Sequence, residues 1–295
     1  MNIPYPAVRR VVLDTDTYNE VDDQFALAHL LLATEVVRLE AVYAAPFFNN
    51  RSSGPGDGME KSYEEIQRVL DLVRPEKRPE VFRGSTQYLT DGRTPVSSEA
   101  ASDLVRRAMA MPEGERLYVV AIAAFSNVAS ALLLEPRIAE RIVVVWLGGH
   151  ALYWPHTREF NLQQDAHAAR VLFDSKAPLV LIPCFPVASH VITTVAELEA
   201  HLAPYSELGR YLTDIVRQYG ANNAGWSKII WDIAASAWVI NQDWVRTEPT
   251  GSPVLKDDLT WATAPGRHPI EVASKVNRDA ILGDFFARAR KCGGR

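Results

Sequence analysis

The chain has 295 residues, 47% hydrophobic and 23% charged, an ordinary globular composition with enough apolar mass for a large core. Its formal charge of −5 is mild, and Lys and Arg are too dispersed to form a phosphate-binding stripe, which argues against a nucleic-acid partner. No stretch reaches the roughly 18 unbroken apolar residues of a membrane span, no signal-peptide pattern precedes the first apolar run, and Cys184 and Cys292 make no disulfide framework; the expectation is a soluble, cytoplasmic protein without a membrane partner.

In chain order, short β-branched runs occur at 8–14 (VRRVVLD), 37–45 (VRLEAVYAA), 115–123 (ERLYVVAIA), 141–149 (RIVVVWLGG) and 177–184 (APLVLIPC). Helical patterns lie between and after them at 22–34, 61–73, 97–110, 127–136 and 165–175. Runs apolar on both faces, alternating with helix-length segments, predict an α/β fold with an open, doubly wound, mainly parallel sheet flanked by helices, as a single domain over 1–295. The Pro/Gly-rich stretch 49–61 (NNRSSGPGDGMEK) reads as the longest loop, a lid or a plain surface connection. Residues 195–241 read as helical, followed by a poorly periodic, proline-bearing segment and a last helix at 278–290.

In a doubly wound sheet, ligands gather beyond the carboxyl ends of the strands. There, in VVLDTDTYNEVDDQFAL, Asp14, Asp16, Glu20, Asp22 and Asp23 fall within ten residues, with no basic residue inside the motif. Like charges packed so closely destabilise the fold unless a cation compensates, and an all-oxygen donor set points to Ca²⁺ or Mg²⁺ and away from zinc. Helix capping accounts for Asp22 and Asp23 but leaves Asp14 and Asp16 unexplained. An Asp-x-Asp after the first strand also suits an aspartate-nucleophile phosphatase, which would need a lysine and a further acidic pair at later strand ends.

With these motifs together, the sequence resembles the nucleoside hydrolase family, the inosine-uridine and inosine-adenosine-guanosine preferring N-ribohydrolases. Asp14-Thr15-Asp16 followed by Asp22-Asp23 resembles the N-terminal signature; VAIAAFSNVASALLLEP, VVVWLGG with REFNLQQDAHAARVLF, and WDIAASAWVI resemble three later blocks, in order across 11–240. The resemblance implies calcium held by Asp16, Asp23, Asp232 and the backbone carbonyl of Ile122. It implies Asp16 as the base that activates water, with Asp14 behind it. Asp22 and Asn161 would bind ribose, Glu159 the 5′ side, and Asn49 is a further ribose-side candidate. The reaction implied is hydrolysis of a ribonucleoside to ribose and free base, in a homodimer or homotetramer.

Three departures from the family pattern bear on substrate. Five residues, not three, separate Asp16 from Asp22, which brings Tyr18, Asn19 or Glu20 toward the site. Trp231 stands where inosine-uridine enzymes carry a histidine acid and purine-preferring ones a stacking tryptophan, so a purine, and with it a role in purine salvage, is favoured. Tyr153 replaces an asparagine that contacts the 5′-hydroxyl; with Trp154, His156 and Arg158 it predicts a more aromatic, basic wall and a substrate altered at 5′. His156 is a candidate leaving-group acid. Tyr88, Tyr219, Asn222, Asn223 and Trp226 are further candidates for the base pocket. The competing non-enzyme reading is a calcium- and ribose-binding protein that has lost turnover.

Overall fold

The structure, a computed structural model, describes residues 3–220 and 225–292. Strand β1 (Arg9–Thr15) leads into α1 (Asp23–Leu32), β2 (Val37–Ala44), α2 (Pro55–Val73), β3 (Glu80–Arg83) and α3 (Glu99–Met109). Next come β4 (Leu117–Ile122), α4 (Ser126–Leu134), β5 (Ile142–Leu147), the short α5 (Phe160–Gln164), α6 (Ala166–Asp174) and β6 (Leu179–Ile182). The last third holds β7 (Ile192–Thr193), α7 (Val195–His201), α8 (Glu207–Tyr219), β8 (Lys228–Ile229), α9 (Ile233–Ile240), β9 (Val245–Gly251), β10 (Val254–Leu255), β11 (Trp261–Ala262), β12 (Pro269–Val276) and α10 (Arg278–Cys292).

Among the described residues the main sheet runs β3-β2-β1-β4-β5-β6-β12-β9, parallel except for β9, which pairs antiparallel with β12. Both faces are covered, as the two-sided apolar runs require. One core layer joins Phe25, Leu27, Val69 and Phe285 to β-strand residues such as Leu13 and Val120, and the other joins Leu104, Val128 and Phe173 to Val119 and Trp146. The expected parallel, doubly wound sheet is therefore the observed one.

Three expectations needed revision. Helix α2 begins at Pro55, so the loop read over 49–61 is half helix. Proline is favoured in a first helical turn, and Gly58 packs so closely that a Cβ there would lie 2.0 Å from the Phe47 carbonyl oxygen. Among its described residues, the stretch 195–241 is two helices, a two-residue strand and a third helix. The poorly periodic segment contains β9 and β12; Pro249 is tolerated because β9 is the sheet edge.

Chain order reverses on either side of β1, between β2 and β4, so the crevice beyond these strands is the topological switch point. Asp14 pairs in register with Ala121, and Thr15 with Ile122, placing the aspartate motif and the end of β4 on one rim. Helix α9 is brought to the same rim by buried polar contacts. Arg9 on β1 donates to the carbonyls of Val239 and Ile240 at the carboxyl end of α9, at 3.0 and 2.9 Å. His29 on α1 lies 3.1 Å from Ser236 on α9 and 3.0 Å from Asp284 on α10.

Candidate active site

Asp14, Asp16, Asp22, Asp23 and Asp232 are all buried, and their surroundings separate them. Asp14 accepts 2.8 Å from Asn127 Nδ2, while Asn127 Oδ1 accepts from the Ser85 amide at 2.7 Å, so α4 fixes the carboxylate from behind. Asp23 Oδ1 accepts the Thr15 hydroxyl at 2.6 Å. Asp22 accepts the Trp231 amide at 3.0 Å and faces Lys228 Nζ at 3.1 Å. Asp16 has no hydrogen-bond partner on either side-chain oxygen, and Asp14 Oδ2 and Asp23 Oδ2 are likewise bare.

Burial raises Asp14 and Asp23 to about 7, the charge of Asp22 adding to the effect on Asp23. Asp16 and Asp232 are pushed well above the carboxylate range, by burial first and by the Asp23 charge next. Buried carboxylate oxygens without donors are costly, and a cation is what such a set lacks. One oxygen each from Asp22, Asp23 and Asp232 falls within a 4.8 Å cluster, and Asp16 acts electrostatically on Asp232 from beside it. The residues present thus fit a hard divalent cation, with Asp22 drawn into the cluster as well as Asp23 and Asp232.

A cavity of about 240 Å³ adjoins this cluster, lined by its Asp22 and Asp232 together with Glu159, Asn161 and Trp231, while Asp16 and Asp23 lie behind the lining. Glu159 caps α5: its oxygens accept the amides of Gly149 at 2.7 Å, Asn161 at 2.9 Å and Leu162 at 3.0 Å. Burial raises its pKa and these amides oppose the rise. Asn161 uses its Nδ2 on the Leu147 carbonyl at 3.1 Å, which leaves Oδ1 for a ligand. Trp231 meets Phe185 edge to face at 5.2 Å.

Other expected site residues lie elsewhere. Tyr153 is 78% exposed and does not line the cavity, because the turn after β5 carries it outward. Asn49 is a turn residue: Nδ2 donates to the Asn19 carbonyl at 3.1 Å and Oδ1 accepts the Arg51 amide at 2.8 Å. His156 lies outside the lining, its Nδ1 accepting the Arg158 amide at 3.3 Å. Tyr88 donates to Gln164 Oε1 at 2.5 Å, and Tyr219 and Trp226 pack on each other beside Lys228. Asn222 and Asn223 lie outside the described residues.

The lengthened loop does enter the site. Asn19 and Glu20 line the cavity, and Tyr18 is held outside it under Arg51, 4.3 Å from guanidinium to ring. Glu20 pairs at 2.5 Å with Lys228, which is buried and also faces Asp22. Burial alone would lower the lysine; the charges of Asp22 and Glu20 outweigh it and raise its pKa. Lys228, His150 and Phe185 were not singled out in the sequence. A lysine is what an Asp-x-Asp phosphatase would need, but this one is bound to Asp22 and Glu20.

The sequence model described as "Inosine-uridine preferring nucleoside hydrolase" matches residues 11–283. The chain belongs to that family. Among solved structures, a plant nucleoside hydrolase, PpNRh1, superposes with TM-score 0.75 at 18% identity over 97% of this chain and 99% of its own. The purine-preferring ribonucleoside hydrolase of Gardnerella vaginalis gives 0.75 at 22%, over 97% and 99%. These likenesses establish the shared fold. The pyrimidine-specific ribonucleoside hydrolase RihB of Escherichia coli O1:K1 / APEC is 28% identical over 136 residues, 44% of this chain and 44% of that protein. The match thus spans under half of that relative's length. The proteins named here include both a purine-preferring and a pyrimidine-specific hydrolase, so the likeness does not fix the base. Among the described residues no helix is long and apolar enough to cross a membrane.

Proposed function

We propose that this chain is a calcium-dependent N-ribohydrolase that cleaves a ribonucleoside, a purine by preference, to ribose and free base. The observation that carries the reading is the pair of bare Asp16 oxygens beside the acidic cluster, which adjoins a cavity lined by Trp231. Asp16, Asp23, Asp232 and the Ile122 carbonyl would hold the cation, with Asp22 close enough to share it. Bound there, calcium would lower the pKa of a coordinated water and orient it.

The chain's own residues supply the rest. Asp16, whose oxygens make no full hydrogen bond although the Asn19 side chain lies close enough to oppose its raised pKa, takes the proton of the attacking water. The scissile bond breaks through an oxocarbenium-like sugar, which buried carboxylates favour electrostatically. Asn161 Oδ1 and Asp22 orient ribose hydroxyls, and Glu159, fixed by three amides, bounds the 5′ end without itself moving. Trp231 offers a face to the base, and larger bases gain more from it, which supports the purine preference.

The test is hydrolysis of inosine, guanosine, adenosine, uridine and cytidine, followed as reducing sugar, with calcium and with chelator. Calcium-dependent release, fastest on purines and reduced about 10³-fold in Asp16→Asn, is expected. Tight nucleoside binding without sugar release would refute the enzyme reading. A pyrimidine-first ranking would refute the purine preference alone.

A further inference from the structure

We propose that His150 is the group that engages the departing base, acting as a neutral hydrogen-bond donor through Nε2–H. The inference rests on the hydrolase reading above and deepens it.

His150 follows the Gly148-Gly149 turn at the end of β5. Gly149 has φ +66°, a left-handed conformation, and a Cβ on it would lie 2.5 Å from the Thr157 hydroxyl, so the turn closes only with glycine there. The turn places His150 in the cavity lining together with Trp231 and Phe185, while only 6% of the residue is exposed. Its ring meets the Phe185 ring at 5.3 Å, edge to face, and Phe185 in turn meets Trp231 at 5.2 Å. These three rings make a continuous aromatic wall on the side of the cavity where Trp231 would stack on a base.

Protonation is set by the backbone. The Phe185 amide donates to His150 Nδ1 at 3.3 Å, so that nitrogen carries a lone pair and the ring proton sits on Nε2. Burial first, and the neighbouring His156 next, hold the imidazole below its ordinary pKa, whereas the Gly149 and Arg158 main chain oppose this. The ring is therefore a fixed neutral donor and not a proton reservoir. As the C1′–N bond breaks, its electron pair passes to the base, and negative charge spreads to ring acceptors such as N3 and N7 of a purine or O2 of a pyrimidine. A donor in the cavity lining that such an atom can reach strengthens as that charge grows, which is stabilisation of the transition state over the ground state. Water adds to C1′ and yields its proton to Asp16; the base is finally protonated by solvent, so no proton leaves His150.

The experiment compares a ribonucleoside with p-nitrophenyl β-D-ribofuranoside, whose phenolate departs without assistance, in the full chain with calcium supplied. His150→Phe keeps the ring and removes the donor; kcat on inosine should fall about 10²-fold while p-nitrophenolate release changes less than about threefold. His150→Gln, which keeps an N–H donor, should recover most of the loss. Should phenylalanine disturb the turn, seen as a lower melting temperature, His150→Leu makes the same comparison. Equal losses on both substrates, or none on inosine, would overturn the assignment while leaving the hydrolase reading intact. No turnover of either substrate by the unaltered protein would overturn the hydrolase reading and this assignment with it.

Discussion

Asp23 is where stability and chemistry oppose each other, and the opposition has a sign that can be measured. Its carboxyl is raised from 3.8 to about 7 by burial and by Asp22. Between those values the folded chain binds more protons than the unfolded one, so the penalty of ionising Asp23 is absent in acid, grows as pH rises, and is complete above about pH 7. At about 1.4 kcal/mol per tenfold change in proton affinity, the penalty is about 2 kcal/mol at pH 5 and at most about 4 kcal/mol at pH 8. Asp23→Asn removes the charge and keeps an oxygen for the Thr15 hydroxyl. In chelator it should therefore melt above the parent protein, by about 5 °C at pH 5 and about 10 °C at pH 8, at 2–4 °C per kcal/mol. With calcium at 100 times its dissociation constant the parent should gain about 2.7 kcal/mol and close much of the gap, whereas the variant, short of a ligand, should gain less. Differential scanning fluorimetry in chelator and in calcium, at pH 5, 6, 7 and 8, reads all of this. A variant no more stable than the parent at pH 8, or a margin that narrows with rising pH, would refute the account of the cluster as an uncompensated acidic site.

Lys228→Met should lower stability in chelator by about 3 kcal/mol in urea titrations, because it leaves the buried Asp22 without its counter-charge and the half-exposed Glu20 unpaired beside it. An unchanged midpoint would mean that the ion pair contributes nothing net. Trp231→Ala should raise KM for a purine nucleoside up to about tenfold, the worth of an aromatic contact, with a smaller effect on kcat; equal effects on purine and pyrimidine would show that it does not stack on the base. Tyr153→Ala should leave kcat/KM within about twofold, as expected for an exposed side chain off the cavity.

Fold class was legible because β1, β2, β4, β5 and β6 are two-sided apolar runs, a pattern that a buried parallel strand imposes on sequence directly. β12 was not, because it lies next to an edge: its exposed and half-buried positions dilute the apolar signal, and Pro249 in its partner β9 looks like a strand breaker. The candidate site divides the same way. Asp14, Asp16, Asp22 and Asp23 are adjacent in the chain, so an excess of charge was visible before any fold was assumed. His150 and Phe185 join the site through a backbone turn and a ring contact between segments 35 residues apart, and a lone histidine after two glycines carries no periodic signature. Tyr153 stands off the cavity lining for the converse reason: its position along the sequence was informative, but the direction in which a loop points its side chain is set by tertiary packing.

Helix capping, the ordinary explanation for aspartates ahead of α1 and α9, can be decided from the contacts. Ser98, Glu159, Asp165, Thr194 and Ser206 stand before helices and each accepts a first-turn amide of its own helix. Asp22 and Asp232 occupy the equivalent positions of α1 and α9, and neither makes such a bond. Their carboxylates turn instead toward Asp23 and each other. Both helices therefore direct the positive ends of their dipoles at the cluster while withholding the capping interaction, a partial compensation worth about 0.3–2 kcal/mol per terminus. That is less than the penalty of one buried carboxylate at pH 8, and Lys228 answers only Asp22 and Glu20. Charge balance around Asp16, Asp23 and Asp232 is thus left to something outside the chain, and a divalent cation met by bare oxygens satisfies it with the same atoms that would orient water for attack.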